Sequence, residues 1–258
     1  MSGLSPHREL RLADALAVLA ATPRLLVASD FDGTLAPIVS HPSDARGLPA
    51  AMSALRDLAN LPDTTVAAVS GRALADLAEV AQLPAGVRLV GSHGAEFDGS
   101  PPPLDPAQRE LHARLSAALE SIVGDVSGAW LEGKPAGVAV HVRAAEPTAG
   151  QRILAEVRAG PASWNGVSAT EGKAVIDLGV VHVDKGTALT ALRRQTDATR
   201  VAFFGDDVTD EKAFAALGDG DVGVKVGPGE TLARYRVAAP ADVAELLTTL
   251  AAARRRRH

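Results

Sequence analysis

Unbroken apolar runs in the first and last parts of the chain indicate strands that are buried on both faces of a sheet. Such strands have no polar face, so their residues do not alternate with a period of two. Segments with apolar residues at helical spacing follow most of these runs, in the order expected of parallel βαβ units. The predicted strands cover residues 25–30, 64–69, 87–93, 201–205 and 221–226, and the predicted helices cover 7–21, 49–60, 73–82, 185–195, 209–217 and residues from about 241 onward.

The middle of the chain has a different order of elements. Three consecutive prolines at 101–103 indicate a linker, and beyond them pairs of short strands alternate with single helices. This order favours an antiparallel sheet with helices on one face. The helices are predicted at 106–123 and 147–158, and the strands at 129–132, 136–143, 166–170 and 174–179.

Together these patterns predict an α/β protein with two parts. The first part is a doubly wound, mostly parallel, Rossmann-like core formed by residues 1–103 and 182–258. The second part is an inserted α+β cap domain with the element order αββαββ, formed by residues 104–181. The core is therefore interrupted once, and its βα rhythm returns after the insertion.

The composition excludes several kinds of chemistry. The 258 residues include no cysteine, which excludes disulfides, thiolate metal ligands and a cysteine nucleophile. A net charge of −5 gives no general attraction to nucleic acid. No apolar run approaches the roughly 18 residues of a membrane span, and the first residues lack the pattern of a signal peptide. We expect a cytoplasmic protein with no nucleic-acid or membrane partner, and we expect a monomer.

The basic end of the chain, Arg254 to His258, follows the last predicted helix. A short basic tail in this position is typically solvated and interacts favourably with the helix dipole. We therefore assign it no function from the sequence.

Acidic residues follow two of the predicted buried strands. Asp30 and Asp32 come at the end of the first strand, and Asp206 and Asp207 come directly after another. The carboxyl ends of parallel strands meet at one edge of the sheet, where ligands of open α/β folds bind. Each Asp alone is explained by turn chemistry or helix capping, and Asp207 and Asp210 fit such caps. Two acidic strand ends instead predict a shared cation, and Mg²⁺ prefers carboxylate, water and phosphate oxygens.

The residues expected at this edge match the needs of phosphoryl transfer. That reaction requires positive charge around the phosphate, a nucleophile in line with the leaving group and a proton for the leaving oxygen. Two groups are suited to binding phosphate oxygens: Lys185, at a helix start, and the Ser70 hydroxyl, after the strand at 64–69. An Asp30 oxygen suits attack on phosphorus to give an aspartyl phosphate, and Asp32 suits the general acid and base.

Four short motifs resemble those of the haloacid dehalogenase superfamily of phosphohydrolases. They are DFDGT at 30–34, SGR at 70–72, DKG at 184–186 and GDDVTDE at 205–211, and their order and spacing match over the whole core. The resemblance implies that Asp30 is the nucleophile and Asp32 the general acid and base. It also implies that Ser70 and Lys185 bind phosphate. The metal site that it implies holds Mg²⁺, with Asp30, Asp32 and Asp206 as the ligands.

Further motifs are similar to those of the trehalose-6-phosphate phosphatase family within that superfamily. They are SHGAEF at 92–97, EGK at 132–134, AVHVR at 139–143 and EGKAVIDL at 171–178. This resemblance implies a sugar phosphate substrate, trehalose 6-phosphate, held in part by Glu and Lys side chains of the cap. The implied substrate contacts are Gly71, Arg72, His93, Glu132, His141, Arg143, Glu171, Lys173 and Asp177.

The chain departs from the family pattern at one of these contacts. Asp177 stands where the family usually has Glu, and Gly179 and Val180 replace a basic residue and a proline. Because an Asp side chain is one methylene shorter than Glu, the reach of this contact toward a sugar differs from that of the family.

Several alternatives stay open from the sequence. Another sugar phosphatase of the superfamily, such as one acting on sucrose phosphate, would share the core motifs. A sensor that binds a sugar phosphate without turnover would also retain the fold. His93 and His141 fit structural roles as well, and no histidine pair has the spacing of a zinc site. The G-x-G-x-x-G match at 218–223 follows a helix and precedes a strand, so it does not indicate a dinucleotide site.

Overall fold

The computed structural model describes residues 12–97 and 104–257. These residues form eight α-helices and eleven strands in two separate sheets. The helices are α1 (Leu12–Ala20), α2 (Pro49–Ala59), α3 (Leu74–Ala81), α4 (Pro106–Val123), α5 (Pro147–Ala159), α6 (Lys185–Gln195), α7 (Asp210–Ala215) and α8 (Pro240–Arg255). The strands are β1 (Leu25–Ser29), β2 (Thr64–Val69), β3 (Val87–Gly91), β4 (Glu96–Phe97), β5 (Trp130–Lys134), β6 (Gly137–His141), β7 (Ser168–Gly172), β8 (Val175–Gly179), β9 (Arg200–Gly205), β10 (Val222–Val226) and β11 (Tyr235–Val237).

The two sheets differ in strand direction. The larger sheet has the order β11-β10-β9-β1-β2-β3-β4, and all of its neighbours pair in parallel apart from β4, which runs antiparallel to β3. The smaller sheet, β5-β6-β8-β7, is antiparallel throughout. The predicted fold class, a mostly parallel α/β core with an α+β cap, is confirmed. The domain boundaries at 103/104 and 181/182 stay a prediction.

Apolar layers on both faces of the larger sheet explain why its strands are apolar without alternation. Leu25 and Val27 of β1 belong to a buried cluster with residues of α1, α2, α3 and α8. Leu26 and Ala28 belong to a second cluster, with residues of α6 and α7, on the opposite face. Successive strand residues point to opposite faces, so a sheet covered on both sides requires an apolar residue at every position.

The cap sheet is covered on one face only. Buried side chains of α4 and α5 pack on Val140 and Ile176 of this sheet. Residues one position along a strand point to the opposite face. That opposite face carries Lys134 and Asp177, and Lys134 donates a hydrogen bond to the carbonyl of Gly71 in the core. The polar face of the cap is therefore turned toward the core.

The sequence predicted most elements of the described ranges with ends shifted by a few residues. It missed β4 and β11, which have two and three residues and are too short to show a pattern. The helix predicted over 7–21 is described from Leu12, and residues 7–11 and the prolines at 101–103 lie outside the described residues. Within the described ranges, no helix combines the length and the apolar character that crossing a bilayer requires.

Arg254 corrects the expectation that the basic end of the chain is a solvated tail. Its side chain is completely buried beneath α8. The guanidinium donates to the Thr64 hydroxyl at 2.6 Å, to the Asp63 carbonyl at 2.7 Å and to the Thr22 carbonyl at 2.8 Å. These acceptors lie just before β1 and at the start of β2, so Arg254 ties α8 to the amino-terminal edge of the sheet.

We expect Arg254→Met to lower the free energy of unfolding by about 2–4 kcal/mol, because several buried acceptors lose their donor. Arg255→Met is the matched control, since Arg255 makes an exposed ion pair with Asp57 at 2.9 Å and should contribute less than about 1 kcal/mol. Urea denaturation measures both changes. Equal losses in the two variants would show that the buried contacts of Arg254 add nothing beyond a surface charge.

Candidate active site

Adjacent parallel strands bring three carboxylates together at the carboxyl edge of the core. The register pairs Ser29 of β1 with Phe204 of β9, and the backbone N–H of Asp30 donates to the Phe204 carbonyl at 2.9 Å. Asp30 and Asp206 therefore follow neighbouring strands. Carboxylate oxygens of Asp30, Asp206 and Asp210 all lie within 4.8 Å of one another, and we call these three residues the acidic cluster.

Asp210 holds the loop that carries Asp206. It is the first residue of α7 and is completely buried. One of its carboxylate oxygens accepts the backbone N–H groups of Asp206 at 2.9 Å and of Asp207 at 3.0 Å. The Asp207 carboxylate instead accepts from the backbone and hydroxyl of Thr209, so it stabilises the turn before α7. Asp210 thus holds the loop before α7 and does not cap the helix, since the N-cap residue Thr209 has no side-chain cap hydrogen bond.

Lys185 supplies the positive charge nearest to the acidic cluster. Its ammonium lies 3.1 Å from Asp30 and 2.7 Å from Asp210, and its side chain is 2% exposed. Burial alone would lower the pKa of Lys185, but the charges of Asp210 and Asp30 raise it well above its usual range. A capping box between Asp184 and Thr187 begins α6 at this residue and fixes where the side chain starts.

The acidic cluster holds more negative charge than Lys185 offsets. Burial raises the pKa of Asp30 well above its ordinary value, and the neighbouring carboxylates of Asp210 and Asp206 raise it further. Burial and the charges of Asp210 and Asp207 raise the pKa of Asp206 to about 6. Buried carboxylates that repel one another are stabilised when one of them takes up a proton or when a cation binds between them. The oxygen donors, their number and their spacing fit a hard divalent ion such as Mg²⁺.

Gly33 allows the turn after β1 to approach the Asp206 carboxylate closely. Its φ is +79°, which favours glycine, and a Cβ built there would overlap the Asp206 carboxylate. The next residue, Thr34, donates its hydroxyl to Asp206 at 3.3 Å. The turn after β1 therefore orients the carboxylate that follows β9.

The structure does not bring the Asp32 carboxylate into the acidic cluster. Both of its oxygens accept hydrogen bonds from Arg72, one from Nε at 2.6 Å and one from Nη2 at 2.7 Å. Regular strand structure ends at Ser29, so the alternation that was expected to place Asp30 and Asp32 side by side does not continue. Arg72 also donates to Asp76 at 2.6 Å and to the Pro42 carbonyl at 2.8 Å. Its guanidinium, predicted to contact substrate, is thus engaged by the protein itself.

The loop formed by Ser70, Gly71 and Arg72, which we call the SGR loop, follows β2 next to β1. Ser70 is buried, and its hydroxyl accepts the backbone N–H of Arg72 at 3.1 Å. The ring of His93 packs directly on Gly71, where a Cβ would clash with it. His93 itself has a φ of +55°, a strained value for a residue with a side chain. Backbone strain and a glycine are both needed to place this imidazole beside the loop.

Part of the predicted sugar-binding set lies on the core-facing side of the cap sheet. The Glu132 carboxylate accepts a hydrogen bond from His141 Nε2 at 3.0 Å, and Trp130 stacks on the His141 ring with 3.9 Å between ring centroids. Lys134 donates to the carboxylate of Asp177. Burial alone would raise the pKa of Asp177, but a hydrogen bond from His93 and the charge of Lys134 lower it to about 2.

The structure does not bring Glu171 onto that face. The hairpin register places Glu171 opposite the buried Ile176, so its side chain belongs to the helix side of the sheet. There its carboxylate pairs with Arg158 of α5 at 2.7 and 2.9 Å. Thr170, not Glu171, is the residue opposite Asp177.

Two other predicted contacts lie at the edge of the cap. Lys173 is exposed in the turn between β7 and β8. Arg143 is exposed, and its guanidinium donates to the Ser40 carbonyl of the core at 3.3 Å. Arg143 therefore links cap and core through backbone.

The sequence motifs assigned no site role to Lys134 and Thr170, and they placed Asp210 near Asp206 without counting it among the metal ligands. Lys134 lies two positions after Glu132 in the EGK motif, so the period of a strand would have placed both on one face. Asp210 stands four residues after Asp206, at a helix start that the sequence did show. No sequence pattern indicates Thr170, because its position opposite Asp177 depends on the register of the hairpin.

A cavity of about 310 Å³ lies between cap and core. Its walls include Thr170 and Glu171 of β7, Lys185 and Thr209 of the core and His93 beside the SGR loop. This volume is at the lower end of the range for small-molecule sites. The cavity reaches the lysine that contacts the acidic cluster, so a ligand in it would lie next to that cluster.

Solved structures of similar shape have the same combination of core and cap. The C-terminal domain of Candida albicans trehalose-6-phosphate phosphatase superposes with a TM-score of 0.77 over 94% of this chain and 98% of that one, at 24% identity. A trehalose-6-phosphate phosphatase related protein gives a TM-score of 0.74 over 90% of this chain and all of that one, at 26% identity. At such identities these likenesses support the fold.

The parallel core with acidic strand ends and an inserted antiparallel cap defines a member of the haloacid dehalogenase superfamily. The model of the trehalose-phosphatase family matches residues 28–243. The chain therefore belongs to the trehalose-phosphatase family.

Relatives with known names cover nearly the whole of this chain. It is 36% identical to the trehalose-phosphate phosphatase of Mycobacterium ulcerans in an alignment of 261 positions that covers 93% of this chain. It is 33% identical over 90% of its length to the bifunctional trehalose-6-phosphate synthase/phosphatase of Thermoproteus tenax, of which the match covers 33%. The chain spans 66% of the length of the Mycobacterium protein.

Protonation of Asp206 gives a testable pH dependence in metal-free protein. Its pKa is raised from 3.8 to about 6, so its protonated form favours the folded state. This contribution to the free energy of unfolding, about 3 kcal/mol, is fully present below about pH 4 and is lost as the pH rises through about 6. Urea unfolding of wild type and Asp206→Asn at several pH values in a chelator measures the difference. A wild type that gains stability relative to Asp206→Asn over this pH range would contradict the account.

Proposed function

We propose that this protein hydrolyses trehalose 6-phosphate to trehalose and phosphate, with Mg²⁺ as its cofactor. The observation that carries the proposal is the acidic cluster beside Lys185, at the carboxyl edge of the core and below the cap, in a chain of the trehalose-phosphatase family. The names of the relatives supply the substrate, since they include trehalose-phosphate phosphatases. A phosphate monoester is the substrate class for which such a site has the required groups.

Asp30, Asp206 and Asp210 are the residues that would hold the metal ion. A bound Mg²⁺ would offset charge on a phosphate oxygen and help to orient the phosphoryl group. The raised pKa values of Asp30 and Asp206 support this assignment, because they reflect burial together with neighbouring negative charge that lysine ammonium groups offset only in part. Asp32, implied as a ligand by the resemblance, has its carboxylate oxygens bound to Arg72 instead.

The protein's own side chains would carry the covalent steps. An Asp30 oxygen attacks phosphorus, the bond between phosphorus and the sugar oxygen breaks, and an aspartyl phosphate forms. Lys185 and the Ser70 hydroxyl hold phosphate oxygens during this step. Water then attacks the aspartyl phosphate, which releases phosphate and restores Asp30.

Asp32 would transfer the protons in both steps. It gives a proton to the departing sugar oxygen and later takes one from the attacking water. In the structure both of its oxygens are bonded to Arg72. At least one of these bonds has to open before Asp32 can act, and an incoming phosphate is a competing partner for the guanidinium.

The core-facing side of the cap would bind the sugar. Glu132 and His141 lie there together, half-buried, and offer hydrogen-bonding groups suited to hydroxyls. Glu171 lines the cavity, but its carboxylate is paired with Arg158, so we assign the sugar contacts to Glu132 and His141 first. A cytoplasmic location and a monomeric state stay predictions.

Substitution of the nucleophile tests the reaction. We expect Asp30→Asn to reduce the turnover of trehalose 6-phosphate in Mg²⁺ by about 10³-fold or more, because an amide oxygen cannot form the phosphoenzyme. Release of inorganic phosphate measures the rate, and circular dichroism checks the fold. Asp44→Asn, in an exposed loop, is the control and should retain full activity. If Asp30→Asn also retains it, Asp30 is not the nucleophile.

A pair of cap variants tests the sugar contacts. We expect Glu132→Gln to lower kcat/KM for trehalose 6-phosphate by about 10–100-fold. The kcat/KM for 4-nitrophenyl phosphate should stay nearly unchanged, because this aryl ester has no sugar hydroxyls. Glu171→Gln, which breaks only the exposed pair with Arg158, should affect neither substrate strongly. The reverse order of effects would assign the sugar to the Glu171 side of the hairpin.

A further inference from the structure

Lys134 makes a buried contact that crosses from the cap to the SGR loop. It lies at the end of β5, and its side chain is 4% exposed. Its ammonium donates to the backbone carbonyl of Gly71 at 2.8 Å. A cap residue therefore holds the main chain of the loop from which Ser70 is presented.

Two glycines let Lys134 extend across the cap sheet. The residue paired with Lys134 on β6 is Gly137, and the residue paired with Gly137 on β8 is Gly179. Cross-strand partners share a face, so neither β6 nor β8 places a side chain in the row beside Lys134, and the next side chain in that row is Ser168 of β7. The lysine side chain can therefore reach the carboxylate of Asp177, with which it makes an ion pair.

His93 completes the arrangement from the core side. Its Nε2 lies 3.6 Å from the carboxylate of Asp177, and its ring packs on Gly71. We name Lys134, Asp177, His93 and Gly71 the interdomain clasp. Polar contacts excluded from water in this way are electrostatically stronger than exposed ones.

The Gly71 carbonyl is linked to the Ser70 hydroxyl through the peptide group between Gly71 and Arg72. The carbonyl of Gly71 and the N–H of Arg72 belong to one planar peptide group, so they move together. That N–H donates to the Ser70 hydroxyl at 3.1 Å. A hydrogen bond on the carbonyl side thus fixes the donor that orients the hydroxyl on the other side.

We propose that Lys134 is a positioning residue for the phosphate subsite, which it orients through the Gly71–Arg72 peptide and the Ser70 hydroxyl. Asp177 acts with it by holding the ammonium in place. This inference rests on the proposed function, because it takes Ser70 as a phosphate ligand. It differs from a role in sugar binding, because it requires Lys134 for phosphate esters that have no sugar.

Inorganic phosphate, the product of the proposed reaction, probes the subsite without a sugar. We expect Lys134→Met to raise the inhibition constant of phosphate, and the KM for 4-nitrophenyl phosphate, by about tenfold, with a smaller change in kcat. Asp177→Asn should shift both in the same direction by less, since the ammonium stays. If Lys134→Met does not fold, Asp177→Asn serves as the test variant. Arg114→Met is the control, because Arg114 stacks on Trp164 within the cap and should leave both constants unchanged.

Hydrogen exchange supplies a readout that is independent of turnover. The Arg72 amide should exchange faster in Lys134→Met than in Arg114→Met, because its peptide has lost its anchor. If the phosphate inhibition constant and this exchange rate both stay at wild-type values while activity on trehalose 6-phosphate falls, Lys134 contacts the sugar and the inference is overturned. A wild-type protein that hydrolyses neither 4-nitrophenyl phosphate nor trehalose 6-phosphate would overturn the proposed function and this inference with it. A wild-type protein that hydrolyses both esters but is not inhibited by phosphate would overturn this inference alone.

Discussion

An imbalance of buried charge at the carboxyl edge of the core is the constraint on which the rest of the structure depends. Three carboxylates lie within 4.8 Å of one another, and the nearest ammonium, that of Lys185, contacts two of them. Buried carboxylates this close repel one another unless one of them is protonated or a cation binds between them. The fold accepts this arrangement because parallel pairing of β1 and β9 brings both acidic strand ends to one place.

Several parts of the fold serve to hold these charges in position. Gly33 leaves the space that the Asp206 carboxylate occupies, and Asp210 fixes the backbone of the loop that carries it. The capping box at Asp184 begins α6 so that Lys185 reaches the cluster. Rigid elements thus supply the site, which agrees with the general need for preorganised groups in phosphoryl transfer. The cap adds a second layer, because Lys134 reaches the SGR loop by a contact that needs the two domains close together.

The sequence allowed prediction of features that depend on local pattern or on strand order. Apolar runs ending in Asp30 and Asp206 predicted a shared site, because parallel strands place their carboxyl ends side by side. Features that depend on register or on exact strand ends were out of reach. The side on which Glu171 points is set by the pairing of β7 with β8, and the position of Asp32 is set by the end of regular structure at Ser29. Arg254 is the first of four consecutive arginines, and a run of identical residues does not indicate which of them is buried.

Calorimetric titration of the metal-free protein with Mg²⁺, at a pH well above the pKa of Asp206, shows whether Asp30, Asp206 and Asp210 share one divalent ion. We expect one bound ion per chain in the wild type and a loss of that binding in Asp206→Asn. An absence of binding in the wild type, or equal binding in the two proteins, would show that these carboxylates do not hold a shared ion.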